Sequence, residues 1–306
     1  MNGRVVLKPV RVSSRQPETP RRKKKKNNLW KGILVVLFST ALTTLAIHAS
    51  DSFKNSASLI AGVGGVTNGV KVHCPQEMAY VTTAEGGYCI DMFEVSAGDT
   101  CQRIDPLNEF ETQANLTDTK CLPTSKKGNH PWVNVPLHEA LAICAKVGKR
   151  LPTNKEWYRA ALGTPDAVNP DDSTTCSLGR TGQSHSDTTG TRASCVSSYG
   201  VYDMVGNVWE WVDGQVEDGK YGVRYLPSDG YVDEVDVEGV PSRTATSSNV
   251  AFGEDYFFID HSGLRGMIRG GFWSLKEKAG IFSINATVQT SFVGDAVGFR
   301  CAKDAQ

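Results

Sequence analysis

In this 306-residue chain the residue types and spacing that could do chemistry are few, and the clearest group runs from Asp203 to Glu210. Asp203 and Glu210 offer carboxylate oxygens, while Gly206 and Val208 offer backbone carbonyls from a tight turn. Hard oxygen ligands of this kind suit Ca²⁺. The same stretch also reads as plain core, with Asn207, Trp209 and Trp211 packed and Glu210 satisfied by backbone donors. A second group is the eight cysteines, Cys74, Cys89, Cys101, Cys121, Cys144, Cys176, Cys195 and Cys301. There is no Cys-x-x-Cys pair, and His73 beside Cys74 is the one close Cys/His neighbour, so zinc is not expected. Nor do any two of the six histidines stand at i, i+4 on a helix, which argues against an iron site. Between Gly270 and Arg300 there is no Cys, His, Met or Tyr, and Glu277 and Asp295 are the only carboxylates.

Charge and hydropathy divide the chain. Its formal net charge is zero, yet residues 1–31 hold eleven Lys/Arg against Glu18 alone. The remainder carries 22 basic and 32 acidic residues, too acidic a surface to bind nucleic acid through phosphates. An uncharged apolar run, Gly32–Ile47, follows the Lys23–Lys26 cluster and precedes Asp51. Extended to Ala49 it reaches the lower limit of a membrane span, about 17 residues. Positive charges stay inside, so the N-terminus is expected to be cytoplasmic and everything after Asp51 extracytoplasmic. A cleaved signal peptide is the alternative, with Ile47-His48-Ala49 as a poor cleavage site. The expected organisation is a basic cytoplasmic tail (1–31), a single-pass anchor in the cell membrane (32–49), a Ser/Ala/Gly/Asn-rich linker (50–70) and one domain (71–306). An even cysteine count in an exported domain reads as four disulfides.

Two helices can be placed. Pro136–Gly148 opens on a first-turn Pro and closes on a capping Gly, with Leu137, Ala140, Leu141 and Cys144 on one face. Thr153-Asn-Lys-Glu156 is a capping box that opens a second helix, running to Leu162 and closed by Gly163. Short strands are expected at 79–81, 88–93, 267–269, 282–286 and 298–301, and Asp229–Glu238 as a solvated loop. The fold class is α+β with much irregular structure.

Six segments taken together resemble the formylglycine-generating enzyme (sulfatase-modifying factor) family, over about Val72 to Lys303. They are Tyr88-Cys-Ile-Asp-Met-Phe-Glu94, Pro131-Trp-Val-Asn-Val135, Gly148-Lys-Arg-Leu-Pro-Thr-Asn-Lys-Glu-Trp157, Gly200–Trp211, Arg269-Gly-Gly271 and Gly298-Phe-Arg-Cys301. The resemblance implies an irregular C-type lectin-like fold. It also implies a calcium site at Asp203, Gly206, Val208 and Glu210, and a disulfide between Cys144 and Cys301. Sequence proximity suggests Cys74–Cys89, Cys101–Cys121 and Cys176–Cys195 as the other pairs.

Catalysis departs from the family pattern. The enzymes activate oxygen at a copper ion held by two cysteines, because soft thiolates select Cu(I). Those positions fall on Leu275 and Gly280, and an assisting serine falls on Phe272. Neither copper nor iron is therefore expected, and the chain reads as a non-enzyme. As a strand, Ala279–Gly294 would place Ile281, Ser283, Asn285, Thr287, Gln289 and Ser291 on one face, and Phe282, Ile284, Ala286 and Val288 on the other. With Ser274 and Lys276, the polar residues Ser283, Asn285, Thr287, Gln289 and Ser291 form a candidate surface for a protein or glycan ligand. The arrangement resembles the C-terminal region of retroelement-diversified lectin-fold proteins, where such positions vary to change the ligand. A solvated strand without a ligand is the plain alternative. Asn115-Leu-Thr and Asn285-Ala-Thr fit the glycosylation pattern. Altered oxidative chemistry and a structural envelope role are the competing functions.

Overall fold

The computed structural model describes residues 73–84, 86–166, 175–179 and 183–305, with the backbone of 66–67 and 70–71. The basic tail and the apolar run lie outside the described residues. Among those described, no helix is long and apolar enough to cross a membrane. At the end of the expected linker, β1 (Val66–Thr67) and β2 (Val70–Lys71) pair as a small antiparallel hairpin.

The domain then opens with the hairpin β3 (Met78–Thr83) and β4 (Gly86–Asp91). A short pair, β5 (Ser96–Ala97) and β6 (Pro123–Thr124), brackets helix α1 (Glu109–Thr117). Helices α2 (Leu137–Ala145) and α3 (Asn154–Ala161) follow. The second half is strand-rich: β7 (Trp209–Glu217), β8 (Lys220–Tyr221), β9 (Arg224–Tyr225), β10 (Gly230–Val235), β11 (Pro241–Ala245), β12 (Tyr256–Ile259), β13 (Leu264–Arg269), β14 (Ile284–Ala286), β15 (Val297–Phe299) and β16 (Ala302–Asp304). The large mixed sheet runs β11-β10-β12-β14-β13-β7-β8-β9, with β15 joined parallel to β7. The last strand, β16, instead pairs with β4. The turn at Arg300–Cys301 thus carries the chain from the large sheet to the small one.

Each face of the large sheet has its own core. Val212, Met267, Ile284 and Phe257 pack with Trp157 of α3 and with Val81 and Ile90 of the small sheet. Trp211, Ile268 and Phe299 pack with Leu137 and Ile143 of α2 and with Trp132. Residues 209–212 are buried on both faces, so β7 shows no apolar–polar alternation and was absent from the expected strands.

Among the described residues of the domain three α-helices stand where two were expected. Helix α1 buries the polar residues Thr112 and Asn115 and leaves Phe110 in solvent, so it has no apolar stripe to read. Its Thr112 hydroxyl accepts the Trp132 indole N–H at 3.1 Å. In α2 the buried face is Leu137, Ala140, Ile143 and Cys144, and Leu141 points outward. The Thr153/Glu156 capping box of α3 is formed in both directions. Asp229–Glu238 is not a loop: most of it is β10, where Gly230 and Val232 are buried and acidic side chains take the solvent side. Four disulfides close the domain, Cys74–Cys89, Cys101–Cys121, Cys144–Cys301 and Cys176–Cys195. The third spans 157 residues and ties α2 to the β15–β16 turn.

Candidate functional site

The Asp203–Glu210 turn depends on three left-handed residues, Asp203, Gly206 and Asn207. At Gly206 (φ 76°) a Cβ would overlap the Ser177 carbonyl oxygen, so only glycine fits. The backbone N–H of Gly206 donates to Gly270 O at 2.9 Å, and Trp273 N–H donates to Asn207 O at 2.9 Å. These bonds fasten the turn to the segment after Arg269.

Inside the turn is a group of buried charges. Arg300 donates through Nε and Nη2 to the two oxygens of Glu210, at 2.6 and 2.5 Å, and neither residue reaches solvent. The Trp157 indole N–H adds a third bond to Glu210 at 2.7 Å. Asp203 accepts the Gly190 N–H at 2.5 Å. Glu94 accepts the Asn207 side-chain amide at 2.7 Å through Oε2, while its buried Oε1 has no partner. Sequence reasoning gave Glu94 no role, although it closes the first family segment. Three buried carboxylates thus face one guanidinium. Burial is the main cause that holds Glu94 well above the ordinary carboxylate range, with Asp203 and Glu210 adding repulsion. Burial likewise lifts Asp203 to about 7, against the opposing pull of the Gly190 N–H and Arg300.

A hard cation fits this donor chemistry. Asp203 and Glu210 bring two carboxylates to this turn, and a carboxylate has about four lone-pair sites, of which Arg300 and Trp157 use three on Glu210. The excess negative charge and the unpaired Glu94 oxygen favour a cation nearby. Among the described residues no three His, Cys, Asp or Glu side chains gather at metal-ligand spacing, so any ion here would rely on backbone carbonyls.

The positions that align with copper chemistry are filled otherwise. Phe272 is half-buried and packs edge-on to Trp273, with ring centres 5.6 Å apart. Leu275 packs into two apolar clusters. A Cβ at Gly280 would collide with the carboxylate of Asp255. All eight cysteines are in disulfides, leaving no thiol.

Ala279–Gly294 does not form one long strand. Only Ile284–Ala286 does, because the Asn285 carboxamide oxygen accepts the Thr287 N–H at 2.9 Å and turns the backbone away. Ser283 is buried and its hydroxyl donates to Tyr256 O at 3.1 Å, so it is not displayed. Ser274, Lys276, Thr287, Gln289 and Ser291 are exposed, and Asn285 is half-buried. Asn115 is sealed in the fold, donating to Arg103 O at 2.7 Å.

Beside Asn285 opens a pocket of about 180 Å³, lined by Trp209, Ile268, Phe272, Val288 and Phe292 with Asp295 among its polar groups. A half-buried aromatic row leads away from it. Phe258 stands 6.3 Å from Trp209, Tyr256 4.6 Å from Phe258, and Tyr231 5.1 Å from Tyr256. Lys278 Nζ lies 4.4 Å from the Tyr256 ring centre. Sequence reasoning missed this row, since its members come from β10 and β12 and meet only by strand pairing.

A profile of the sulfatase-modifying factor enzyme 1-like domain matches residues 55–305, and the chain belongs to that family. It is similar to the formylglycine-generating enzyme of Thermomonospora curvata, 34% identical over 99 residues that cover 27% of this chain and 33% of that protein. Similarity to the inactive C-alpha-formylglycine-generating enzyme 2 of Bos taurus is 34% over 125 residues, covering 36% and 42%. The chain therefore spans under half the length of these curated relatives. Among solved structures, PvdO from Pseudomonas aeruginosa matches with a TM-score of 0.43 and 20% identity, covering 73% of this chain and 82% of that one. A Major Tropism Determinant variant, P3c, matches at 0.41 and 18%, covering 76% and 54%. Likenesses this loose carry no functional weight.

The raised Asp203 has a pH signature. An acid held above its unfolded value keeps its proton in the folded state, so stability falls as pH rises from about 4 toward 7 and then levels off. In the presence of chelator, Asp203→Asn should gain on the wild type across that window, by up to about 1.4 kcal/mol per pH unit. Urea denaturation at several pH values measures it, and a pH-independent difference would contradict the assignment.

Proposed function

We propose that this chain is a membrane-anchored extracytoplasmic binding module on a formylglycine-generating-enzyme-like scaffold, without oxidase activity. The observation that carries the reading is the state of positions 272, 275 and 280. Phe272 and Leu275 are packed apolar residues, Asp255 crowds Gly280, and no cysteine anywhere in the chain is free. Cu(I) has no thiolate pair to hold it. Titration of the purified protein with Cu(I), followed by oxygen consumption with a cysteine-containing peptide, should give neither stoichiometric binding nor turnover. Turnover with bound copper would sink the reading and favour an oxidoreductase.

The ligand face comprises the aromatic pocket and the exposed rim of Ser274, Lys276, Thr287, Gln289 and Ser291, with Asn285 between them. Pockets for drug-sized molecules usually hold about 300–1,000 Å³. This one is smaller and suits a single side chain or sugar ring from a protein or glycan. Phe292→Glu places a charge at the pocket and should abolish capture on a glycan array or photocrosslinking to a cell-envelope protein from Thr287. Capture unaffected by Phe292→Glu would move the ligand elsewhere.

Calcium at Asp203, Gly206, Val208 and Glu210 would neutralise the buried acids and stiffen the turn behind this face. The Lys23–Lys26 cluster before Gly32–Ala49 orients the anchor with the domain outside. One experiment addresses both. Protease added to intact cells should digest the domain, faster with chelator than with Ca²⁺, and Asp203→Ala should lose that calcium effect. Protection in intact cells would reverse the topology, and identical rates would remove the ion.

A further inference from the structure

A second pair of acids lies apart from the Asp203–Glu210 turn. Asp255, just before β12, is fully buried. Its Oδ2 accepts the Phe282 N–H at 2.7 Å, but its Oδ1 has no hydrogen-bond partner. The nearby guanidinium of Arg269 does not supply one. It donates to Asn154 Oδ1, to Gly239 O and to Ile281 O, and lies 5.0 Å from the Trp157 ring centre. Asp166, at the end of the loop after α3, is half-buried and brings its Oδ2 to the same place. That place is marked by two glycines. A Cβ at Gly253 would overlap Asp166 Oδ2 and come within 3.3 Å of Asp255 Oδ1, and a Cβ at Gly280 would overlap Asp255 Oδ1. The two oxygens therefore flank one point, each no farther from it than 3.3 Å.

We propose that Asp166 Oδ2 and Asp255 Oδ1, which take the volume that side chains at Gly253 and Gly280 would fill, together bind a hard divalent cation, Ca²⁺ or Mg²⁺, between them. Such ions take carboxylate oxygens at about 2.0–2.6 Å, and Mg²⁺ in particular needs only one or two carboxylates because it keeps most of its water. The half-exposed Asp166 leaves a side from which water can complete the shell. Two further facts agree. An unpaired buried carboxylate oxygen is costly unless a charge or donor meets it. Burial, with Asp166 adding repulsion, also holds Asp255 well above the usual carboxylate range, and burial raises Asp166. An ion between them would offset the cost that burial puts on both charges. Its place also explains glycine at position 280, where the family resemblance puts a cysteine: the ion-binding carboxylate fills the volume of that side chain.

The test uses the full chain in detergent, stripped with chelator and dialysed against Ca²⁺ and, separately, Mg²⁺. Bound ion is counted for the wild type, Asp255→Asn, Asp166→Asn and Asp203→Ala. Asp255→Asn should lose one equivalent relative to the wild type, and Asp166→Asn should weaken that equivalent at least tenfold. Asp203→Ala should retain it, which separates this site from the proposed calcium turn whether or not the turn binds an ion. Equal binding by wild type and Asp255→Asn, including none by either, would overturn the proposal. So would a wild type that acid stabilises and neither cation does, since the pair would then share a proton. If Asp255→Asn does not fold, the half-exposed Asp166→Asn decides alone.

Discussion

The fold turns on one buried ion pair, Arg300 with Glu210. Both are sealed from solvent, and the donors of Arg300 reach three separate parts of the chain. Two go to Glu210 on β7, one to Asp91 O at the end of β4, and one to Tyr202 O beside the acidic turn. Glu210 in turn holds the Trp157 indole of α3. Desolvating such a pair is expensive, and breaking it by removing one partner typically costs about 3–5 kcal/mol. Its value here is positional. It sets the large sheet, the small sheet and one helix against the same point, and the adjacent Cys301 fixes that point to α2 through a disulfide.

The turn at Asp203–Glu210, the Gly270–Gly271 crossing and the end of the chain hold together through backbone bonds that do not depend on any catalytic group. Beside them Phe272 and Leu275 pack as apolar residues, and the Asp255 carboxylate crowds Gly280. Aromatic and aliphatic carbon lines this region on one side and the Asp255 carboxylate on the other. Fold-level kinship accordingly constrains the frame more tightly than the function.

Much of that frame was legible in local sequence. The capping box of Thr153 and Glu156, the Gly148 stop and the hairpin of β3 and β4 are short-range features whose physics lies within a few residues. The disulfide partners 15 to 20 residues apart were legible for the same reason. The large sheet was harder. Its strand β7 is buried on both faces over residues 209–212 and shows no period there, β10 next to the edge looks like an acidic loop, and α1 hides behind polar buried residues. Ser283 shows the hazard in the C-terminal segment: alternation predicted display, but the strand covers only three residues and the hydroxyl turns inward to Tyr256 O.

By itself the sequence determined the charge division of the chain, the helix caps, the cysteine count and the absence of cysteine at positions 275 and 280. These follow from residue type and short-range spacing, where local propensity acts. Tertiary structure alone decided that Glu94 joins Asp203 and Glu210 around Arg300, that Tyr231, Tyr256 and Phe258 line up toward a pocket at Trp209, and that Asp166 meets Asp255. Each group joins segments tens of residues or more apart in sequence. Only strand pairing and the burial of charge in a low-dielectric interior bring them within reach of one another, and no local pattern encodes that proximity.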